Sequence, residues 1–419
     1  MLSLPVLSQG NIVLTLIILF AAAFSALALI NFRAATFILI CLFPAYLIRF
    51  NFGPLPSTAF EIAFAAFVGI WLVKYGRNDY KIIKAFFFQN RWFAGAFLFF
   101  FLASIISIFI SDMWWYSFGQ WRAYFLAPMI LFLIFIGRRE MLDKTLLIAA
   151  LSFSTLSISI FGIFQKLTGF SLPTDGRATS FFSSPNAVGL YLGPVIMLTI
   201  FLLIYDNKNL KKTFFSFQFW ILILSLAVIF FTRSLGTILA LFSGILILLW
   251  LLNKRKLAAG TLILLIIAGA LFSPVLDFVT SKNQSSVNRL VLWQYSTEYL
   301  TASPKNFIFG TGIRQFFRKV QKPHYDVKQM ERLIYPHNIF LNFWTETGLL
   351  GLLSFGVLYG FLMTYAVRIY RQNQTLGACL LSALAILLFH GLIDVPYFKN
   401  DLAMLFWTIA ALVANTNEV

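Results

Sequence analysis

Three stretches of this 419-residue chain carry polar residues that burial in an apolar phase does not call for, and each includes a side chain able to grip an anion or move a proton. The first, TDGRATSFFSSPNAVG from Thr174 to Gly189, sets Arg177 between two turn-forming pairs, Asp175-Gly176 and Pro185-Asn186. Ser184 or Asn186 is placed to cap the helix that follows. The second, TRSLGTILALFSG, puts Arg233 between two apolar blocks separated by almost nothing. A charge at mid-membrane costs about 2.5–3.5 kcal/mol, less near the interface, so it requires a partner or a purpose. The third runs from SSVNRLVLWQYSTEYL, with Arg289, through the glycine turn IFGTGI to YPHNIFLNFWTETGLLGLLSFG. There His337 and Asn338 stand at the mouth of an apolar block, and Glu346 lies two turns deeper.

Guanidinium groups bind phosphate oxygens bidentately, and an imidazole titrates near working pH, so these residue types point to anion binding combined with proton transfer. The competing role for Arg177 and Arg233 is an interfacial anchor whose charged head reaches water, and for His337 a cap or packing residue. His324, inside the polar loop, reads as solvated, and His390, close to Asp394, as part of a structural hydrogen bond. The chain has no Gly-rich Lys-Ser/Thr phosphate loop, His-Glu-x-x-His helix or Cys-x-x-Cys pair, the usual parts of ATP hydrolysis, zinc proteolysis and thiol redox chemistry. Paired carboxylates suited to a divalent cation on the outer face are also missing. The expectation is direct binding of an anion by arginine, with no metal and no cofactor.

The elements that must position these residues follow from composition. Hydrophobic residues make up 60% of the chain and charged ones 11%, which excludes a water-soluble globular enzyme. Apolar residues fall in repeated uncharged blocks long enough to cross a hydrocarbon layer about 30 Å thick. Spans are expected near residues 11–30, 34–50, 57–73, 92–110, 120–136, 145–165, 186–205, 218–232, 235–252, 258–273, 348–369, 376–393 and 400–415. The fold class is therefore all-α, a polytopic transmembrane helix bundle of 12–13 spans, twelve if residues 1–50 cross only once. Without the basic stretch of a secretory signal, the first block reads as a retained helix. Cys41 and Cys379 lie inside apolar blocks and suggest neither a disulfide scaffold nor a metal site.

The net charge of +17 suggests nucleic acid until the 32 Lys and Arg are placed. Seventeen fall in one set of alternate loops, six in the opposite short loops and nine in the long stretch before Pro336. By the positive-inside rule the first set is cytoplasmic, so the large loop between the tenth and eleventh spans faces outward, and no nucleic-acid partner is expected. This gives a bundle over 1–273, an extracytoplasmic loop with amphipathic helices over 274–347, and C-terminal spans over 348–419. Within the loop, Ser285 to Leu300 has Val287, Leu290 and Val291 at roughly helical spacing, predicting an amphipathic helix on the membrane with Arg289 on its polar side.

The succession GRATSFFSSPNAVG, TRSLGTILALFSGILI, SSVNRLVLW, IFGTGIRQF and PHNIFLNFWTETGLLGLL, from about Asp175 to Leu353, resembles the O-antigen ligase and polymerase superfamily of bacterial membrane glycosyltransferases. The family's Ser-Arg-Gly turn reads Arg233-Ser234-Leu235-Gly236 here. The resemblance implies about a dozen helices with a large periplasmic loop. It also implies metal-free transfer of a glycan from an undecaprenyl-pyrophosphate carrier to an acceptor hydroxyl, on a glycolipid or a glycan. Carried over by position, Arg177, Arg233 and Arg289 grip the pyrophosphate, with Asn186 and Asn338 beside them, and His337 serves the acceptor or the transferred sugar. Outside the cytoplasmic membrane the energy for a glycosidic bond must arrive in the donor, which suits such a carrier. A ligase at the outer face of the bacterial inner membrane is the leading expectation. A polymerase joining lipid-linked repeat units, an anion or polysaccharide transporter and a structural scaffold are the alternatives.

Overall fold

The computed structural model describes residues 11–52, 55–206, 216–271, 284–325 and 332–417. Their helices are α1 (Asn11–Ile30), α2 (Phe32–Cys41), α3 (Ala59–Lys74), α4 (Gly76–Gln89), α5 (Arg91–Ile110), α6 (Trp114–Trp121), α7 (Ala127–Gly137), α8 (Lys144–Thr168) and α9 (Pro185–Asp206). After these come α10 (Phe217–Thr232), α11 (Leu235–Leu251), α12 (Arg255–Leu271), α13 (Gln284–Thr301), α14 (Pro304–Phe309), α15 (Ile339–Gln372), α16 (Gln374–Gly391) and α17 (Asn400–Asn417). A short antiparallel hairpin, β1 (Arg49–Phe52) with β2 (Leu55–Thr58), pairs Arg49 with Thr58. The protein is thus an all-α polytopic bundle. Among the described residues six helical stretches are long and apolar enough to cross a membrane, and α3 with α4, bent by 91°, adds a seventh if the pair is one span. The stretches Thr15–Ile30, Phe32–Cys41, Phe217–Thr232 and Leu235–Leu251 are apolar but shorter.

Two expectations change. The block near 34–50 is not one continuous helix: α2 stops at Cys41, and a 3-10 turn over Phe43–Leu47 with Pro44 near its start leads to the hairpin. Proline cannot donate to an α-helical ladder, which accounts for the break. The basic connection after Lys74 is a helix, α4, whose one buried acid, Asp79, accepts hydrogen bonds from Trp71 (2.8 Å) and Arg138 (3.3 Å).

The described chain divides into two compact units. The first comprises Met1–Phe86, Ile130–Ser234 and Asn400–Val419. Helix α9 is largely enclosed there, flanked by α8 and α10. Small polar residues form the seams there, Ser152 with Thr199 (2.8 Å) and Ser154 with Tyr191 (2.6 Å). Such residues let helix backbones approach in an apolar medium, and a Cβ on Gly162 of α8 would lie 2.3 Å from Val228 of α10.

The second unit comprises Phe87–Met129 and Leu235–Lys399. There α15 packs with α5 and α16, and α11 packs on α16; Phe100, Phe343, Phe355 and Tyr397 cluster on the α5–α15 side, the Phe343 and Phe355 rings stacking at 4.1 Å. Helix α15 breaks at Gly348, whose φ of 72° and ψ of −178° lie outside helical space. The IFGTGI segment fills that break. Thr311 N donates to Thr345 O (2.6 Å), and the Glu346 carboxylate accepts from the Arg314 backbone N–H. A Cβ on Gly348 would meet Ile308 O at 2.3 Å, and one on Gly310 would meet Thr345 O at 2.3 Å, so both glycines are required by close backbone approach as well as by positive φ.

Candidate active site

In the first unit, the loop carrying Arg177 is built by a residue with no local signal in the sequence. Gln165, fully buried near the end of α8, accepts from Thr179 N (2.9 Å) and Ser180 N (3.1 Å) through Oε1 and donates to Ser171 O (2.9 Å) through Nε2. The loop is thereby folded onto the end of α10, where Ala178 N donates to Phe231 O (3.0 Å). Arg177 Nε donates to Thr232 O (2.8 Å), the last carbonyl of that helix, a favourable place for a cation. Its guanidinium, which has five N–H donors, remains partly exposed, with Asp175 3.9 Å away. The anchoring role is therefore real, and it occupies one donor.

Arg233 follows at once as the C-cap of α10, in the left-handed region at φ 48°, with its side chain exposed. Non-glycine residues held there concentrate at functional sites. Ser234 Oγ donates to Asn186 Oδ1 (2.8 Å) at the start of α9. The loop, α9 and α10 thus bring Arg177, Asn186 and Arg233 to one end of this unit, and Asn186 acts there partly as a tie between helices.

In the second unit, His337 is also in the left-handed region, at φ 54°. Several contacts impose that conformation. Asn338 N-caps α15, accepting from Phe340 N (3.0 Å) and Leu341 N (3.1 Å), while its Nδ2 donates to Leu392 O (3.1 Å). Pro336 O accepts from Trp293 Nε1 of α13 (2.9 Å), and the Tyr335 ring meets the His337 ring edge-on. His337 Nδ1 lies 3.3 Å from Asp394 Oδ1. Asp394 is almost fully buried, which alone would raise its carboxyl. The adjoining His337, then His390 and Lys399, outweigh that and hold it well below the usual carboxylate range.

Two expectations are corrected here, for Arg289 and His390. Arg289 does not sit on a solvated face: it is only 9% exposed, on the side of α13 that also buries Ser286, Leu292, Ser296 and Leu300, whereas Val287 and Leu290 are exposed. The inward side is chosen by Leu292, which packs with Phe316 and Val320 in a small core. His390 does not bond Asp394 through its ring; the link between them is backbone, Asp394 N to His390 O (2.9 Å), and the Asp394 side chain faces His337 instead. His324 is exposed, in keeping with a solvated residue, and its ring stacks on Tyr295 at 4.2 Å. Arg289, His337, Asn338, His390 and Asp394 thus belong to one neighbourhood of the second unit, with Arg289 and Asp394 both within electrostatic reach of His390.

Helices of this length and apolarity define a multi-pass α-helical membrane protein, and arginines with a carboxylate-paired histidine stand at their ends. Residues 220–356, about a third of the chain, match the O-Antigen ligase family. That segment contains Arg233, Arg289, His337 and Asn338, and it supports the resemblance to the O-antigen ligase superfamily and a membrane enzyme of the ligase or polymerase type. No curated protein matches the chain.

Proposed function

We propose that this protein is an O-antigen ligase-like glycosyltransferase of the bacterial cytoplasmic membrane. It moves a glycan from an undecaprenyl-pyrophosphate carrier to an acceptor hydroxyl, on lipid A core or a similar glycolipid, at the outer face and with inversion. The long loop, within 274–347, and the spans on either side, 1–273 and 348–419, serve that reaction. The observation that supports this reading best is His337, inside the matched segment, paired through Nδ1 with the buried Asp394 carboxylate at the mouth of α15.

The chemistry asks little else of the protein. The acceptor oxygen bonds to the anomeric carbon as the bond from that carbon to the pyrophosphate oxygen breaks. The hydroxyl proton passes to His337 Nε2, the ring nitrogen turned away from Asp394, and the carboxylate stabilises the imidazolium that results. Charge growing on the departing pyrophosphate calls for guanidinium groups, the role proposed for Arg289 and, separately, for Arg177 and Arg233. Asn186 and Asn338 hold the backbone from which these groups project. A polymerase would use the same donor and the same groups and differ only in acceptor.

Purified protein given a lipid-linked glycan and, in separate reactions, lipid A core or a second lipid-linked unit distinguishes the two. Transfer to the core with release of the polyprenyl pyrophosphate is expected. Transfer to the second unit alone makes the protein a polymerase, and absence of transfer to either contradicts the reading.

A further inference from the structure

His390 is the one histidine absorbed by neither the anchoring contacts nor the pairing with Asp394. Its side chain is 1% exposed, and neither ring nitrogen has a hydrogen-bond partner among the described residues. A buried imidazole carries at least one N–H donor, and burying it without an acceptor is unfavourable, so an acceptor other than the described residues is indicated. What surrounds the ring narrows the choice. Arg289, itself buried, is in electrostatic reach and offers only donors. Asp394, also in reach, directs Oδ1 to His337 and to its own neighbour's amide, Val395 N, at 2.8 Å. On the remaining side α11 comes close because its second residue is glycine: a Cβ on Gly236 would lie 3.8 Å from His390 Nε2 and 2.6 Å from Ile393 Cδ1. Beside a guanidinium, an anionic oxygen is the acceptor that gains most, because it meets the charge of Arg289 as well as the ring N–H.

We infer that His390 is a substrate-binding residue, its ring N–H donating to a phosphoryl oxygen held next to the Arg289 guanidinium. This rests on the pyrophosphate reading above and deepens it by adding a neutral donor to the cations. An imidazole there gives direction where a guanidinium gives charge, and so fixes which phosphoryl oxygen faces Arg289.

The test uses the full-length protein in phosphatidylcholine nanodiscs with inorganic pyrophosphate as the probe, read both by direct binding and as inhibition of transfer, alongside the thermal midpoint. His390→Phe, which removes the donor, is expected to weaken pyrophosphate binding about tenfold or more at unchanged midpoint, as loss of a hydrogen bond to a charged group does. His390→Gln, which keeps an N–H donor, should stay within about threefold of wild type. Should His390→Phe not fold, His390→Met removes the donor with a more adaptable side chain. Wild-type affinity in the donor-free variant overturns the inference; if Arg289→Gln in the same series has lost binding, the wider reading survives that result. No pyrophosphate binding by the wild type overturns both. Unchanged affinity when phosphatidylglycerol replaces half of the phosphatidylcholine supports a substrate diphosphate, and its abolition assigns the site to bulk lipid headgroups and overturns the inference.

Discussion

His337 Nδ1 stands 3.3 Å from Asp394 Oδ1, across 57 residues of sequence, and this contact decides which face of the imidazole is left for chemistry. With Nδ1 committed to the carboxylate, the neutral ring presents the Nε2 lone pair outward. The ring can hardly swing away, because Asn338 beside it caps α15 and also ties to Leu392 O. Asp394→Asn removes the charge while keeping the shape. A fall in kcat of about 10²-fold or more with little change in donor KM is expected from steady-state transfer kinetics, since the loss falls on proton acceptance.

The same carboxylate makes a prediction about stability. Its folded pKa is depressed, so its contribution is fully present above the unfolded value near 4 and is lost as pH falls through the lower folded value. The difference in thermal midpoint between wild type and Asp394→Asn should shrink as the pH falls below about 4. A difference that grows on acidification contradicts the assignment.

Arg177 separates anchoring from anion binding. Its Nε contact to Thr232 O is a neutral-acceptor hydrogen bond that Arg177→Gln can partly keep, while the charge is lost. If the cation is required, Arg177→Gln loses transfer by about 10²-fold at a thermal midpoint close to wild type. Normal transfer by this variant would reduce Arg177 to the end of α10.

Gly348 tests the break in α15. Alanine there would be forced to φ 72° with its Cβ 2.3 Å from Ile308 O. Left-handed strain alone costs about 1–3 kcal/mol, and the clash adds to it. Gly348→Ala should lower the thermal midpoint by several degrees, whereas Gly356→Ala in the same helix, with nothing within 4 Å of its Cβ, should not lower it.

The bundle is largely legible because an apolar block without charges has few alternatives to a helix: among the described residues each expected span from residue 57 onward coincides with helix within a few residues, except that the one near 120–136 runs over α6 and α7 from Trp114 and that α15 starts earlier, at Ile339. The prediction failed where one residue overrode the block average. Pro44 interrupts the block near 34–50, and α4 hides one apolar face among its charges. Within the candidate site, residue types were readable and partners were not. His390 lies four residues from Asp394, so proximity in sequence suggested that pair, yet tertiary packing turned Asp394 toward His337. Arg289 was assigned to water by its charge, while its inward placement follows from Leu292 seeking Phe316 and Val320. Gln165 carried no local signal at all; its role exists only once a loop 14 residues on folds back over it.

In the proposed transfer one imidazole accepts the proton while a polyprenyl pyrophosphate departs. Release of that pyrophosphate and formation of the glycosylated acceptor, followed together with purified wild type and His337→Ala, test this. Equal amounts of both products are expected from the wild type, and a rate lower by about 10²–10⁴-fold from a variant that still folds and inserts. Wild-type rates from His337→Ala would contradict it.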